Sequence, residues 1–235
     1  MAKAIGGKGI GRRRFLAGAG AMATAAAPPV SHLHPVRAGP GSRTADAMVF
    51  FDPVEAAFVA AAADLMIPAD DLGPGAVQAG VVAFIDRQLA GAYGSGARTY
   101  LAGPWAEGTP SQGYQLPLTP AQLYRTAIAE LNQAAREAHG KALSDLPLKL
   151  RAEFLAAADA GDVGLPSVPG KLFVSMLWGN VVEGYFSDPV HGGNRGMAAW
   201  KMIGFPGARG AYSNEIEAFR GKRYSADPVS IADLQ

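Results

Sequence analysis

The chain of 235 residues is 49% hydrophobic and 17% charged, carries a formal net charge of +1 and contains no cysteine. The missing thiols exclude disulfides, c-type haem attachment through C-x-x-C-H, cysteine-ligated iron–sulfur clusters and cysteine zinc sites together. Five of the 21 basic residues and no acidic residue stand in the first 25 positions, which leaves 16 basic groups against 20 acidic ones, a net −4 with nothing to attract nucleic acid or anionic lipid.

Two motifs compete in the opening segment. From Gly18, "GAGAMA" has the G-x-G-x-x-A form of a dinucleotide-binding turn, which needs a buried strand before it and a βαβ unit around it. Neither is present: three arginines and Phe15-Leu16-Ala17 precede Gly18, and prolines follow Ala27. The same residues fit an export signal in every part. Lys3, Lys8, Arg12, Arg13 and Arg14 form a basic n-region, an Ala/Gly-rich apolar core follows, and small residues suit A-x-A cleavage. "RRRFLAG" resembles the R-R-x-F-L core of twin-arginine signals, with Arg12, Arg13, Phe15 and Leu16 in the defining places. This predicts delivery to the periplasm by the twin-arginine translocase. Residues 1–38 are then signal and flexible linker, and residues 39–235 a helical domain. No apolar run is long enough to span a bilayer, so membrane association is expected only through a partner. The twin-arginine route is associated with cargo that folds before transport, often around a cofactor. With no cofactor motif in this chain, the cofactor is expected on another polypeptide.

The first helix is signalled by Asp52 at the N-cap, Pro53 at N1 and Glu55 in the first turn. Val54, Phe58, Ala62 and Leu65 recur at helical spacing until Pro68. Asp70 and Asp71 then lie in a Gly/Pro-rich turn, where two carboxylates without further ligands read as solvated rather than metal-binding. A second helix is predicted from about Ala76 to Leu89, with Val77, Val81, Phe84 and Ile85 on one stripe and Asp86 and Arg87 on a polar face. Residues 91–118 form a long loop with Tyr93, Tyr100, Trp105 and Tyr114. Such aromatics either cap the domain's own core or lie ordered against something else.

Thr119-Pro120 repeats the cap signature and opens a third helix to about His139, stopped by Gly140. A fourth runs from near Pro147 to Ala160, with Leu150, Phe154 and Ala157 inward and Gly161 as its stop. The fifth, from about Pro169 to Phe186, is apolar nearly all round, the pattern of a central helix or of one shared with a partner. Strand alternation is nowhere convincing. The fold expected is all-α, a single compact domain of about five or six helices with long ordered loops.

After the fifth helix comes "DPVHGGNRGMAAWKMIGFPGA". Together with "LMIPADDLGPGAVQAGVVAFIDRQLAGAYG" and "GYQLPLTPAQLYRTAI", it closely resembles the gluconate 2-dehydrogenase subunit 3 family, across essentially all of the chain from about Asp52 to Tyr212. His191 departs from the pattern, standing where Tyr is common before the glycine pair. The resemblance implies the small, or gamma, subunit of a membrane-bound, FAD-dependent sugar or polyol dehydrogenase. It implies no cofactor in this chain, FAD in a large subunit of the glucose-methanol-choline type, and haem c in a multihaem cytochrome c subunit that receives the electrons. It further implies that the small subunit carries the export signal for a large subunit that lacks one, and that it is not the site of chemistry.

Within the motif, Gly192 and Gly193 supply a sharp turn, while Asn194 and Arg195 offer an amide and a guanidinium suited to fixing a partner loop. Met197 and Trp200 share a face, with Lys201, Ile203, Phe205 and Pro206 beside and beyond them. Trp, Met and Arg are favoured at interface centres. Two readings stand for these residues: contact with the large subunit, or Trp200 and Phe205 closing this domain's core with Arg195 paired to an internal acid such as Asp188. Asp188, His191 and Asn194 do not read as a catalytic set, because no nucleophile accompanies them. The rival to a subunit is a stand-alone exported helical enzyme or solute-binding protein.

Overall fold

The computed structural model describes residues 47–106, 108, 109, 112 and 114–234. The export motif of Arg12, Arg13, Phe15 and Leu16, with the linker behind it, lies outside the described residues. The described part is all-α and compact. Five longer helices run α1 Pro53–Met66, α2 Val81–Ala90, α3 Pro120–His139, α4 Leu148–Ala160 and α5 Gly170–Phe186, followed by two short ones, α6 Ala198–Ile203 and α7 Ser213–Ala218. Short 3-10 turns lie at Leu143–Asp145, Pro189–His191, Arg195–Met197 and Ile231–Leu234. No helix among the described residues is long and apolar enough to cross a membrane.

The caps are those the sequence predicts. Asp52 accepts hydrogen bonds from the backbone N–H groups of Val54 and Glu55, and the Glu55 carboxylate accepts from the Asp52 N–H, a complete capping box. Thr119 and Gln122 do the same for α3. Gly140 and Gly161 end α3 and α4 in the left-handed conformation.

The second helix begins later than predicted, at Val81 rather than Ala76, because Gly80 sits at φ 86° and separates the turn at 76–80 from the helix. Two other expectations are corrected by the packing. Val54 and Leu150 face solvent, and Leu155 and Ala158 take the inward places in α4 beside Phe154. Asp86, expected on a polar face, is only 1% exposed. It follows Val82 by four residues and precedes Leu89 by three, so it shares their buried stripe. Its Oδ2 accepts from the Val49 N–H (2.7 Å), and its Oδ1 from those of Phe50 (3.0 Å) and Phe51 (2.8 Å).

Helix α5 is central, packing most extensively on α4 and also against α1, α2 and α3. Phe173, Leu177 and Val181 are fully buried along it. Each such side chain contributes about 1.5–3 kcal/mol relative to exposure. Phe173 meets Tyr124 edge-on at 5.3 Å and Phe58 at 6.0 Å, and Tyr124 extends the aromatic chain to Phe51. The hydroxyl of Tyr124 accepts from Asn180 Nδ2 (2.8 Å), and Asn180 also bonds Tyr93. Burial pushes the Tyr124 phenol well above its ordinary pKa, so this network is neutral. Of the loop aromatics, Tyr93 and Tyr114 therefore serve the domain itself: Tyr93 bonds α5, and Tyr114 packs on the core with its hydroxyl donating to the Leu118 carbonyl (2.6 Å). Tyr100 and Trp105 are exposed.

Candidate functional site

The glycine-rich segment that follows α5 turns the chain back over the α1–α2 connection. Asp188 caps the first 3-10 turn, accepting from the Val190 N–H at 3.0 Å. Asn194 then adopts φ 44°, a left-handed conformation that Asn tolerates better than most residues. It is fully buried, its Nδ2 donating to the Ser187 carbonyl (3.0 Å) and its Oδ1 accepting from the Ala199 N–H (2.9 Å). One side chain thus ties the end of α5 to the start of α6. Gly193 is held against the Gly184 carbonyl so closely that no Cβ fits. The Arg195 N–H donates to the Ala79 carbonyl (3.0 Å), and its side chain lies against Gly80, so the motif nests on the 76–80 turn. Met197, also non-glycine at φ 55°, turns the chain into α6.

Trp200 is buried, and its indole N–H donates to the Phe186 carbonyl (2.8 Å) while its ring meets Phe205 edge-on at 5.2 Å. The motif therefore divides. Gly193, Asn194 and Trp200 face inward and build the turn. Arg195, Lys201, Ile203 and Phe205 are exposed, and Gly192, Met197 and Pro206 are half-buried. Lys201 is held by its own element, Nζ donating to the Gly196 carbonyl.

Asp188 takes a different partner from the arginine considered above. Its Oδ1 accepts from the Ser230 hydroxyl (2.6 Å) and its Oδ2 from the Ile231 N–H (2.8 Å), so it receives the C-terminal return of the chain. Burial by itself would raise this carboxyl. The bonds from Ser230, Val190 and Ile231 and the nearby His191 outweigh burial and hold it below the ordinary 3.8. Beside Asp188 the return is closed by pairing between Ala208 N–H and Val229 carbonyl (2.7 Å) and between Val229 N–H and Pro206 carbonyl (3.2 Å), at a point where Gly207 lies against Val229 too tightly for a side chain.

Two shallow depressions flank Phe186. One, about 550 Å³, lies between α2 and the end of α5, with Phe84, Gln88 and His191 on its walls. The other, about 230 Å³, is formed by Leu72, Tyr185, Phe186 and Met202 with Ile67 and Pro68. Tyr185 is fixed there by donating to the Pro74 carbonyl (2.8 Å), its phenol raised by burial and by the Asp70 charge. Asp70 accepts from the Leu72 and Gly73 N–H groups and so shapes the turn that presents Leu72. Among the described residues, no three His, Asp or Glu side chains converge as metal ligands would. Leu72, Phe186 and Met202 are not singled out by their sequence context. Only the convergence of three distant segments reveals them.

Neither a curated protein nor a solved structure matches the chain. The family model described as "Gluconate 2-dehydrogenase subunit 3" matches residues 53–207. That span runs from the first residue of α1 to the glycine that closes the C-terminal return, and so contains the whole helical core and the glycine-rich turn. The chain belongs to the gluconate 2-dehydrogenase subunit 3 family.

Proposed function

We propose that the chain is the non-catalytic small subunit of a periplasmic, FAD-dependent sugar or polyol dehydrogenase, and that it escorts a flavoprotein subunit lacking its own signal through the twin-arginine pathway and stabilises it. Family membership already implies a dehydrogenase partner. The reading adds a large subunit of the glucose-methanol-choline type as holder of the FAD and a multihaem cytochrome c subunit as electron acceptor and membrane link.

The observation that carries the reading is the match across residues 53–207. The export motif "RRRFLAG" in the same chain supports the escort role, since a partner folded onto this chain would travel with its signal.

Co-expression with the large subunit tests this. The tagged mature chain should bring flavin absorbance and dye-reducing activity with it, and should show neither when purified alone. In the double variant Arg12→Lys, Arg13→Lys, the large subunit should stay in the cytoplasm. Flavin or turnover in the lone chain, or unchanged periplasmic activity in the double variant, overturns the proposal.

A further inference from the structure

The depression between Leu72, Phe186 and Met202 draws on three segments remote in sequence: the turn after α1, the end of α5, and α6. All three side chains are open to solvent, Leu72 at 76%, Met202 at 40% and Phe186 at 36%. Phe205, also exposed, does not line the depression; its ring meets Trp200, whose indole N–H bonds the Phe186 carbonyl. Single exposed apolar residues are ordinary on a protein surface. Several gathered around one concavity mark a place where another surface belongs.

The size of the concavity narrows the occupant. At about 230 Å³ it falls below the roughly 300–1,000 Å³ of small-molecule and cofactor sites, and it is walled by apolar side chains rather than by converging donors. That is room for one apolar anchor side chain of a protein, with Asp70 at the edge as a polar rim. The face is also rigid. The buried Asn194, Gly193 against Gly184 and the indole bond of Trp200 fix α6, and with it Met202, to the end of α5. A surface set in place beforehand loses little freedom on binding.

From this we infer that the face centred on Leu72, Phe186 and Met202 is where the dehydrogenase subunit docks, with an apolar side chain of that subunit seated in the depression. The inference rests on the subunit reading above. The choice of occupant follows from the match: every residue of the face lies inside 53–207, the part of the chain held in common with a family defined as a dehydrogenase subunit. Leu148, the first residue of α4, is nearly as exposed as Leu72 at 69% but does not line the depression, and it serves as the control.

The full chain, tagged and co-expressed with the large flavoprotein subunit, should be compared with Leu72→Asp plus Met202→Asp and with Leu148→Asp. The double variant should keep its circular dichroism and lose at least about ten-fold in retained flavin, while Leu148→Asp behaves as wild type. A photo-crosslinking residue at Met202 provides a second measurement that does not depend on a charged variant folding. It should form an adduct with the large subunit, and the same residue at Leu148 should not. Undiminished flavin retention by the folded double variant, or no adduct at Met202 while the complex is intact, overturns the assignment of this face. A wild-type chain whose self-association depends on Met202 while flavin retention does not overturns the choice of occupant. Failure of the wild-type chain to retain flavin at all strikes instead at the subunit reading, so the two failures are distinguishable.

Discussion

Asp86 and Asp188 each receive backbone N–H groups from a segment far along the chain, residues 49–51 in the first case and Ile231 in the second. Their settings differ. Asp86 lies under the α1–α3 side of the domain, where Phe51 joins the aromatic chain through Tyr124 to Phe173. Its three bonds hold the segment that leads into α1 on the core, and each bond to a charged acceptor is worth about 1.5–3 kcal/mol. Asp188 stands at the rim of the glycine-rich turn, beside Phe186, and splits its oxygens between a local turn and the returning C-terminal segment. The same chemistry thus holds the segment leading into α1 in one place and the C-terminal return in the other. A tie in the core secures the fold. A tie at the rim secures the return of the C-terminal segment.

Removing the core tie is the most severe way to test that contrast. Asp86→Ala leaves the buried Phe51 N–H, the half-buried Phe50 N–H and that of the exposed Val49 without their acceptor, and should cost about 3 kcal/mol. Denaturant unfolding of the mature chain reads this directly. A loss below about 1 kcal/mol would mean that residues 49–51 are held by their aromatic packing and not by the carboxylate.

The rim tie should weigh less and should carry a pH signature. Asp188→Asn keeps one acceptor oxygen but turns an amide toward N–H donors, and should cost about 1–2 kcal/mol at neutral pH. Because the folded-state carboxyl lies below its ordinary 3.8, the wild-type contribution is complete above that value and is lost as the pH falls through the lowered one. The stability gap between wild type and Asp188→Asn should therefore stay constant from pH 7 to about pH 4 and close below it. A gap that widens on acidification would refute the assigned direction.

The sequence disclosed the helices far better than these ties. Asp52 with Glu55, Thr119 with Pro120, and Gly140 and Gly161 are local devices, each complete within a few residues, and all stand where the sequence predicts. Asp86 was legible in principle, through its place between Val82 and Leu89 on a buried stripe. Its chemical type, with Arg87 next to it, pointed the other way. The delayed start of α2 depends on a left-handed Gly80 packed against the Gly192 carbonyl and Arg195, a contact spanning more than a hundred residues that no local pattern announces. In the glycine-rich motif, residue type marked the segment but not which side chains turn inward. Asn194, offered as a partner contact, bonds Ser187 and Ala199 within the domain, and Trp200, for which a partner contact and a place closing the core both stood open, bonds the Phe186 carbonyl. Met202 and Leu72 have no distinguishing neighbours, since their meeting arises only from the way α5 and α6 cross the α1–α2 turn.

The smallest expected effect sharpens the contrast from the other side, by loosening a second support of the N-terminal tie. Arg125 Nη1 reaches both Glu55 oxygens at 2.9 Å, its Nη2 donates to the Phe50 carbonyl at 2.8 Å, and its guanidinium lies 4.2 Å from the centre of the Phe50 ring. The Glu55 carboxylate it holds is the same one that accepts from the Asp52 N–H in the capping box, so one arginine joins α3 to the start of α1 and to the segment fixed by Asp86. Arg125→Lys keeps the charge but loses the fork and the flat stacking surface. The Arg125 side chain is half exposed, so the cost should be only about 0.5–1 kcal/mol, and added salt should shrink it further. If the N-terminal segment is held by Asp86 and Arg125 independently, the losses in Asp86→Ala and Arg125→Lys should add within about 0.5 kcal/mol in the double variant. A coupling well above that would mean that the two groups act through one shared placement of Phe50, whose N–H bonds Asp86 and whose carbonyl and ring meet Arg125.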